Sequence, residues 1–221
     1  MTNDPDIAYH LRELEIAHDT TNTYHAMPEF LETDQAILDV GCGIGQTFVA
    51  SQRIYGKFLV GLDIDLKCLN YGNRHFAYIA YVNGTAECLP FRAGLFDLVI
   101  SRVSLPYTNI QQSLSDANRV LKNNGRVWFT LHPFSMTMKH LIRSLLKFEF
   151  KDVIYRSYVL LNGIVFHCCG KQFPFILGKR NRYESFQTTS RMYRAMKSAG
   201  FKDIYVGTKG RHFVCFGRKL T

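Results

Sequence analysis

The clearest structural signal in the chain is Ile37-Leu38-Asp39-Val40-Gly41-Cys42-Gly43-Ile44-Gly45-Gln46, an apolar run that ends in three alternate glycines. A short apolar run bounded by glycine is typical of a buried strand. Alternate glycines let the backbone turn tightly and approach a ligand, because no Cβ stands in the way. Proteins hold nucleotides with a strand, a glycine turn and then a helix, so the stretch predicts a nucleotide-binding site.

Two other kinds of glycine loop differ from this one in their required residues. A dinucleotide fingerprint needs Gly or Ala three residues after its second glycine. Gln46 stands there if the motif starts at Gly41, and Phe48 if it starts at Gly43. A P-loop needs Gly-Lys-Ser/Thr, which is absent. What remains is an acidic residue followed by alternate glycines, with Asp39 placed to meet an ammonium group or to orient the loop.

This arrangement resembles the first motif of the class I S-adenosylmethionine-dependent methyltransferases, and five later segments continue the resemblance in chain order. They are Val60-Gly61-Leu62-Asp63-Ile64-Asp65, Asn83-Gly84-Thr85-Ala86-Glu87-Cys88-Leu89-Pro90-Phe91, Phe96-Asp97-Leu98-Val99-Ile100-Ser101, Leu121-Lys122-Asn123-Asn124-Gly125-Arg126-Val127 and Met196-Lys197-Ser198-Ala199-Gly200-Phe201. The resemblance covers residues 35–131 and 188–218. It implies S-adenosylmethionine as the cofactor, S-adenosylhomocysteine as its product, and no metal ion.

The resemblance also implies roles for particular residues. Asp63 ends the second strand, where the family holds the ribose hydroxyls of the cofactor. Thr85 stands where the family usually has an aspartate beside the adenine. The implied cofactor contacts are Asp39, Gly41, Cys42, Gly43, Gly45, Gln46, Asp63, Ile64, Thr85, Ala86, Glu87 and Ser101.

Strand-like and helix-like stretches alternate from residue 36 to residue 102, with a helix expected over 45–55. This alternation predicts an α/β fold with a doubly wound, mostly parallel sheet that binds ligands at the carboxyl ends of its strands. The resemblance adds a last strand that inserts antiparallel beside the sixth, which gives seven strands. We expect one domain over residues 1–221. A helix is expected after Asp4-Pro5, and the N-terminal segment supplies candidates to close over the cofactor, as in the resembled family: Tyr9, His10, His18, Tyr24 and His25.

An insertion over residues 133–187 follows the fifth strand and replaces the short connection of the family. Met138, Leu141, Ile142 and Leu145 fall on one helical face and Lys139, Arg143 and Lys147 on another, which predicts a basic amphipathic helix. Asn162-Gly163 lies between apolar runs, which predicts a β-hairpin over 158–166. We interpret this helix and hairpin as a lid. Its ten aromatic residues and nine Lys+Arg suit a partly apolar, anionic substrate, or else a small satellite core with a basic exterior.

Charge is divided unevenly along the 221 residues. The net charge of +9 combines −6 for residues 1–110 with +15 for residues 111–221. Such asymmetry favours an anionic partner, which can be a substrate, a nucleic acid or a membrane surface, or it is a solvated basic face. The chain shows neither a leader pattern nor an apolar stretch long enough to span a bilayer, and its six cysteines lack paired spacing. We therefore expect a cytoplasmic protein with reduced thiols.

Methyl transfer is an in-line displacement, so the protein must chiefly align the reacting atoms. A general base helps when the acceptor carries a proton, and the candidates are His132, at the exit of the fifth strand, and Tyr107 in Ser104-Leu105-Pro106-Tyr107. Three functions stay open: methylation of a small anionic or amphiphilic molecule, methylation of RNA through the basic half, and non-catalytic binding of S-adenosylmethionine. The acceptor atom and the oligomeric state stay open as well.

Overall fold

A computed structural model describes residues 4–51, 54–176, 182–209 and 212–220. One sheet of seven strands runs through it in the order β3-β2-β1-β4-β5-β7-β6. The strands are β1 Ala36–Val40, β2 Phe58–Asp63, β3 Ala80–Asn83, β4 Phe96–Ser101, β5 Leu121–Thr130, β6 Phe201–Lys209 and β7 His212–Lys219. Strands β1 to β5 pair in parallel, and β7 inserts antiparallel between β5 and β6. The predicted seven-stranded, doubly wound fold is confirmed.

Helices cover both faces of the sheet. They are α1 Pro5–His18, α2 Gln46–Val49, α3 Leu66–His75, α4 Ile110–Val120, α5 Phe134–Leu146, α6 Phe150–Cys169 and α7 Thr189–Ser198. The helix expected over 45–55 is therefore short, and residues 52–53 lie outside the described part of the chain. Among the described helices, none is long and apolar enough to cross a membrane.

The strand β1 is buried along its whole length, and its side chains alternate between two apolar clusters. Leu38 joins the larger cluster, which includes Leu114 of α4 and Met192 of α7. Ile37 joins the smaller cluster on the other face, which includes Phe48 of α2. This burial on both faces explains why the strand reads as a continuous apolar run, and it fixes the position from which the glycine loop starts.

The predicted hairpin over residues 158–166 is wrong. The whole stretch lies inside α6, a helix of 20 residues. Val159 and Phe166 are both buried, and their separation of two helical turns places them on one face. The apolar residues that suggested two strands are therefore divided between a buried face, with Val159 and Phe166, and an exposed face, with Leu161 and Ile164. The insertion is a pair of helices, α5 and α6, and only its amphipathic first helix matches the prediction.

Asn162 and Gly163 are needed for packing inside the helix, not for a turn. The Asn162 side chain is buried, and its amide nitrogen donates to the carbonyl oxygens of Tyr183 and Glu184, both at 3.0 Å. A Cβ on Gly163 would lie 2.1 Å from the ring of Phe186, so only glycine lets that ring approach. Asn162 and Gly163 thus hold the segment before α7 against α6. The same residue pair is the usual sequence signal of a hairpin, which explains the wrong prediction.

The insertion begins and ends at one point, which we call the clasp: His132, Pro133 and Gln187. The backbone nitrogen of His132 donates to the Gln187 side-chain oxygen at 2.8 Å, and the Gln187 nitrogen donates to the His132 carbonyl at 2.7 Å. Pro133 and Gln187 form an isolated parallel bridge. The clasp therefore fixes both ends of the insertion at the exit of β5.

Candidate functional site

A cavity of about 590 Å³ opens at the carboxyl ends of β1 and β2. Its volume lies within the range that is usual for sites of small molecules. Six of the residues predicted to contact the cofactor line it: Gly41, Asp63, Ile64, Thr85, Ala86 and Glu87. Their positions agree with the rule that open parallel sheets bind ligands at this edge.

The glycine loop is held in a shape that side chains would prevent. Gly41, Gly43 and Gly45 have φ angles of +76°, +57° and +89°, in the left-handed region that favours glycine. A Cβ on Gly41 would lie 2.2 Å from Ser104, and one on Gly43 would lie 2.3 Å from the ring of His10. Backbone conformation and crowding thus both require glycine. The loop amides are held within the protein, since the nitrogens of Gly41 and Cys42 donate to the Leu62 carbonyl at 2.7 and 3.0 Å.

Asp39 is a buried carboxylate two residues before the first loop glycine, and it is 1% exposed. Neither of its oxygens has a hydrogen-bond partner of good geometry among the described residues. Burial raises the pKa of Asp39 to about 7, and Thr47 and Arg102 offset only part of this effect. A buried carboxylate without a partner is costly, so it suits a site that a ligand cation completes. Asp39 does not line the cavity, so its contact with an ammonium group stays a prediction.

Asp63 connects the end of β2 to the glycine loop. One oxygen of its carboxylate accepts a hydrogen bond from the Gly43 nitrogen at 2.8 Å, and the other accepts from the Asp65 nitrogen at 2.9 Å. Each oxygen retains acceptor capacity, because a carboxylate offers about four lone-pair positions. Asp63 also lines the cavity, so contact with ribose hydroxyls stays a prediction that this placement allows.

On the opposite side of the cavity, the loop after β3 presents Thr85, Ala86 and Glu87. The Glu87 carboxylate accepts a hydrogen bond from the backbone nitrogen of Asn109, the N-cap of α4, at 2.9 Å. Thr85 forms a bridge with Cys88, which closes the loop on itself. A hydroxyl therefore stands where the resembled family usually has an aspartate.

Six of the twelve predicted contacts do not line this cavity: Asp39, Cys42, Gly43, Gly45, Gln46 and Ser101. Two of these, Cys42 and Ser101, turn into the core. Both side chains are buried: a Cβ on Gly61 would lie 2.7 Å from the Cys42 sulfur, and burial raises the pKa of the Cys42 thiol. The Ser101 hydroxyl is 2.6 Å from that of Ser104 and accepts from the Leu105 nitrogen at 3.2 Å. Ser104 is the serine that lines the cavity, and sequence reasoning did not single it out as a contact.

The helix α1 closes one side of the site through Tyr9 and His10, which line the cavity. The His10 ring nitrogen lies 3.1 Å from the side-chain nitrogen of Gln46, itself a predicted contact, and burial lowers the pKa of His10. Gln46 lines a smaller adjoining cavity of about 140 Å³. The other N-terminal candidates, His18, Tyr24 and His25, line neither cavity.

Tyr107 and His132, the two candidates for the general base, lie one behind the other. Tyr107 lines the cavity. The His132 ring packs against it with a centroid distance of 5.2 Å and an interplanar angle of 87°. Burial raises the pKa of Tyr107, which disfavours its phenolate form. Arg182 also contacts Tyr107: its guanidinium carbon lies over the Tyr107 ring, 5.5 Å from the ring centroid.

Behind His132 lies Glu184, which the sequence did not suggest. Its carboxylate is 3.7 Å from His132 Nδ1 and 3.6 Å from an Arg156 nitrogen, and it accepts a short hydrogen bond from the Tyr155 hydroxyl. Burial alone would raise the pKa of Glu184, but His132, Tyr155 and Arg156 outweigh burial and lower it. An ionised carboxylate therefore faces the buried imidazole. Its partners are remote in the sequence, so no local pattern signals this contact.

The glycine-rich part of the chain matches a known family. The methyltransferase-domain family matches residues 38–129. The chain is 39% identical over 94 residues to an uncharacterized methyltransferase of Synechocystis sp., with 41% of this chain and 44% of the relative covered. It is 32% identical over 95 residues to the malonyl-[acyl-carrier protein] O-methyltransferase of Erwinia pyrifoliae, with 42% and 36% covered. The chain therefore spans less than half the length of these two relatives.

A longer alignment reaches the demethylmenaquinone methyltransferase of Chlorobaculum tepidum, 23% identical over 172 residues, with 77% of this chain and 67% of the relative covered. Among solved structures, an S-adenosylmethionine-dependent methyltransferase of Thermotoga maritima has a TM-score of 0.58 at 14% identity, with 96% and 95% of the two chains covered. Human N-acetylserotonin methyltransferase in complex with S-adenosylmethionine has a TM-score of 0.56 at 14% identity, with 98% and 54% covered. At such identities the likeness concerns the fold.

Proposed function

This chain belongs to the class I S-adenosylmethionine-dependent methyltransferases, and we propose that it transfers the methyl group of this cofactor to a small anionic or amphiphilic acceptor. The cofactor supplies an electrophilic methyl group when bound. The observation that carries the proposal is the unpartnered, buried carboxylate of Asp39 beside a loop whose three glycines admit no side chain. The cytoplasmic location expected from the sequence is part of the same proposal.

Different residues of the chain would contact different parts of the cofactor. The buried carboxylate of Asp39 would pair with the ammonium group of the cofactor. Asp63 is placed to accept hydrogen bonds from ribose hydroxyls while it holds Gly43. Thr85 and Glu87 border the part of the cavity left for the adenine. Each of these contacts would be a hydrogen bond or an ion pair. Because the protein holds the contacting groups in place before the cofactor binds, they favour alignment of its methyl group with the acceptor.

The base that we propose is His132, oriented by Glu184. His132 Nδ1 lies 3.7 Å from the Glu184 carboxylate, and a proton on Nδ1 would leave the lone pair on Nε2. A neutral imidazole of this kind receives the proton of a hydroxyl or amine acceptor, and the ionised carboxylate stabilises the imidazolium that forms. His132 does not itself line the cavity, whereas Tyr107 does and packs edge-to-face against the His132 ring, so the Tyr107 ring must move aside before the acceptor reaches Nε2.

The acceptor class follows from the residues at this side of the cavity. Arg182 is exposed and lies beside Tyr107, so a positive charge and an aromatic surface stand together at the opening. This pair suits an acceptor with an anionic group and an apolar or planar part. Two relatives are named for malonyl-[acyl-carrier protein] and for demethylmenaquinone, which supports a small-molecule or carrier-bound acceptor over RNA.

Calorimetry and methyl labelling test the proposal together. Calorimetry should show binding of S-adenosylmethionine and none of NAD, and Asp63→Ala should weaken the binding about 10-fold or more, because charge-assisted hydrogen bonds contribute about 1.5 to 3 kcal/mol. Glu32→Gln, an exposed change at the other edge of the sheet, is the control. Binding of NAD without S-adenosylmethionine would overturn the family's cofactor for this chain.

The label identifies the acceptor. Extract incubated with the protein and methyl-labelled S-adenosylmethionine should accumulate label in a low-mass or carrier-bound acid or amphiphile. Label in RNA, with transfer that falls steeply as salt rises, would select the RNA alternative, since phosphate contacts depend strongly on salt. Tight cofactor binding with no label in any fraction would select the non-catalytic alternative.

A further inference from the structure

The α5–α6 turn, residues 145–150, exposes large apolar side chains to solvent. Leu146 is 74% exposed, Phe148 is 76% exposed and Phe150 is 73% exposed. The buried residues of α5 are instead Thr137 and Ser144. An ordinary surface helix buries its apolar stripe and exposes its polar one. Here the large apolar residues point away from the protein, which is typical of a surface that meets another apolar phase.

The backbone of the turn presents Phe148 at some cost. Its φ angle is +55°, in the left-handed region that bulky residues rarely adopt. The Glu149 nitrogen donates to the Ser144 carbonyl at 3.0 Å and the Phe148 nitrogen to the Leu145 carbonyl at 3.1 Å, which terminates α5. Glycine is the usual residue at such a position. A phenylalanine held there with its ring in solvent indicates a role outside the packing of the fold.

Basic residues surround these apolar side chains. Lys139, Arg143, Lys147 and Lys151 are all exposed, and they recur every four residues from α5 into α6. Among the acidic neighbours, Glu149 lies 3.9 Å from Lys147 and Asp152 is in the first turn of α6. The segment from 139 to 152 therefore keeps an excess of positive charge. Lysine is depleted at protein–protein interfaces, whereas lysine beside exposed aromatics matches anionic lipid headgroups.

We propose that the α5–α6 turn docks this protein onto the surface of an anionic lipid bilayer. Leu146, Phe148 and Phe150 would enter the boundary between headgroups and acyl chains, and the four basic residues would contact the headgroup phosphates. Tyr155, whose hydroxyl contacts Glu184, lies only about 7.5 Å along α6 from Phe150, at 1.5 Å per residue. Docking would thus bring the membrane close to the side of the cavity where His132 and Glu184 lie. The proposal does not require the proposed reaction, because docking is measured without an acceptor.

Vesicle sedimentation of the full chain tests the proposal. The wild type should sediment with vesicles of 30% phosphatidylglycerol in phosphatidylcholine and not with pure phosphatidylcholine, and 0.5 M NaCl should release most of it. Phe148→Ser with Phe150→Ser should lower the partition coefficient about 10- to 100-fold, because each ring loses its apolar burial in the bilayer. Both side chains are largely in solvent, so the double variant should keep its thermal stability.

Matched variants distinguish binding through the α5–α6 turn from an effect of positive charge or exposed aromatic rings anywhere on the protein. Replacing Lys139, Arg143 and Lys147 by Gln should lower vesicle binding about 10-fold or more, since each basic residue near an anionic surface adds attraction. The same loss of charge at Lys197, Lys202 and Lys209, and Tyr55→Ser at a side chain 92% exposed, should leave binding unchanged.

Two results would overturn the proposal. One is a wild type that binds S-adenosylmethionine normally and does not sediment with the anionic vesicles. The other is a dimer, seen by analytical ultracentrifugation, that the Phe148→Ser and Phe150→Ser double variant dissociates. That outcome would assign the turn to a second copy of the chain. Calorimetry with S-adenosylmethionine on every variant keeps a failure of docking distinct from a failure of the proposed function.

Discussion

The cofactor half and the insertion build their parts of the site by different means. In the cofactor half the loop after β1 works through backbone: three glycines in left-handed conformation stand where any Cβ would clash. In the insertion the site works through side chains, because Glu184, Tyr155 and His132 meet through their functional groups. The shape of the glycine loop tolerates no side chain, whereas contacts between side chains can change by substitution. Cofactor binding should therefore be rigid and acceptor choice adaptable.

From the difference between the cofactor half and the insertion, we expect the largest effect on turnover from substitution of His132. His132→Asn should lower turnover about 10²- to 10⁴-fold and leave the affinity for S-adenosylmethionine unchanged, because a general base supplies that range and the cofactor is held elsewhere. Glu184→Gln should give a smaller loss and alter the pH profile of the rate, since Glu184 acts only through His132. Steady-state rates from pH 6 to 9 with calorimetry check both.

The control for these two variants is Glu149→Gln, an exposed change in the same insertion. Its rate should match that of the wild type. Wild-type turnover of His132→Asn across this pH range would exclude His132 as the base and favour a transfer that alignment alone accelerates.

In the cofactor half, Gly43→Ala should weaken S-adenosylmethionine binding about 100-fold. Left-handed φ costs an L-residue about 1 to 2 kcal/mol, and the clash with the His10 ring adds overpacking of about 1 to 3 kcal/mol. Calorimetry gives the loss. Gly94→Ala is the matched control, because Gly94 also has a positive φ, of 66°, but a Cβ there meets nothing within 4 Å. Equal cofactor affinity in Gly43→Ala and the wild type would contradict the crowded geometry of the loop.

Substitution of Asp39 should have two smaller effects: weaker cofactor binding and higher stability of the ligand-free protein. Asp39→Asn should weaken cofactor binding about 10-fold or more through loss of a charge-assisted contact. The same change should stabilise the ligand-free protein at pH 8. The folded state keeps the Asp39 proton up to a pKa of about 7, whereas an unfolded aspartate loses it near pH 3.9, so the wild type loses stability as pH rises between these values.

Thermal melts of the ligand-free proteins at pH 4 and pH 8 measure this second effect. The Tm of Asp39→Asn should exceed that of the wild type by several degrees at pH 8, at about 2 to 4 °C per kcal/mol for a chain of this size, and the difference should shrink at pH 4. A Tm difference that is the same at both pH values would show that Asp39 does not titrate as its burial requires.

The smallest effect concerns stability in the insertion. Gly163→Ala should lower the free energy of unfolding by about 1 to 2 kcal/mol, since overpacking against the Phe186 ring exceeds the gain in helix propensity of about 1 kcal/mol. Cofactor affinity should not change. Combining the substitution with Phe186→Leu should recover part of the loss, as urea unfolding would measure. A more stable Gly163→Ala variant would mean that the ring moves aside at no cost.

The sequence predicts the strands and the glycine loop of the cofactor half because the signals for them are local. Asp39, the three loop glycines and Asp63 lie at strand ends, and a parallel sheet brings its strand ends together by topology alone. Cys42 and Ser101 share that location, yet their side chains turn into the core. The motif determines the path of the backbone. Successive side chains along that path point in alternate directions, so only some of them face the cavity.

The insertion resisted prediction because its information is distant. Asn162-Gly163 is a strong local signal for a hairpin, but the contacts of that pair are with Glu184 and Phe186, which follow it by about two dozen residues. Those contacts favour the helix over the turn. Glu184 itself stands 52 residues from His132 in the chain, so only the folded structure reveals their pairing.

The clasp of His132, Pro133 and Gln187 has a consequence for how such a protein can diversify. The chain leaves the sheet and returns to it within one pair of hydrogen bonds, of 2.8 and 2.7 Å. Lengthening or shortening what lies between these two points does not disturb the strand register on either side. Doubling the length of a closed segment costs only about 0.6 kcal/mol of closure entropy. The length of the segment between these two points can therefore change at little entropic cost, as long as the core position that Phe166 fills stays occupied.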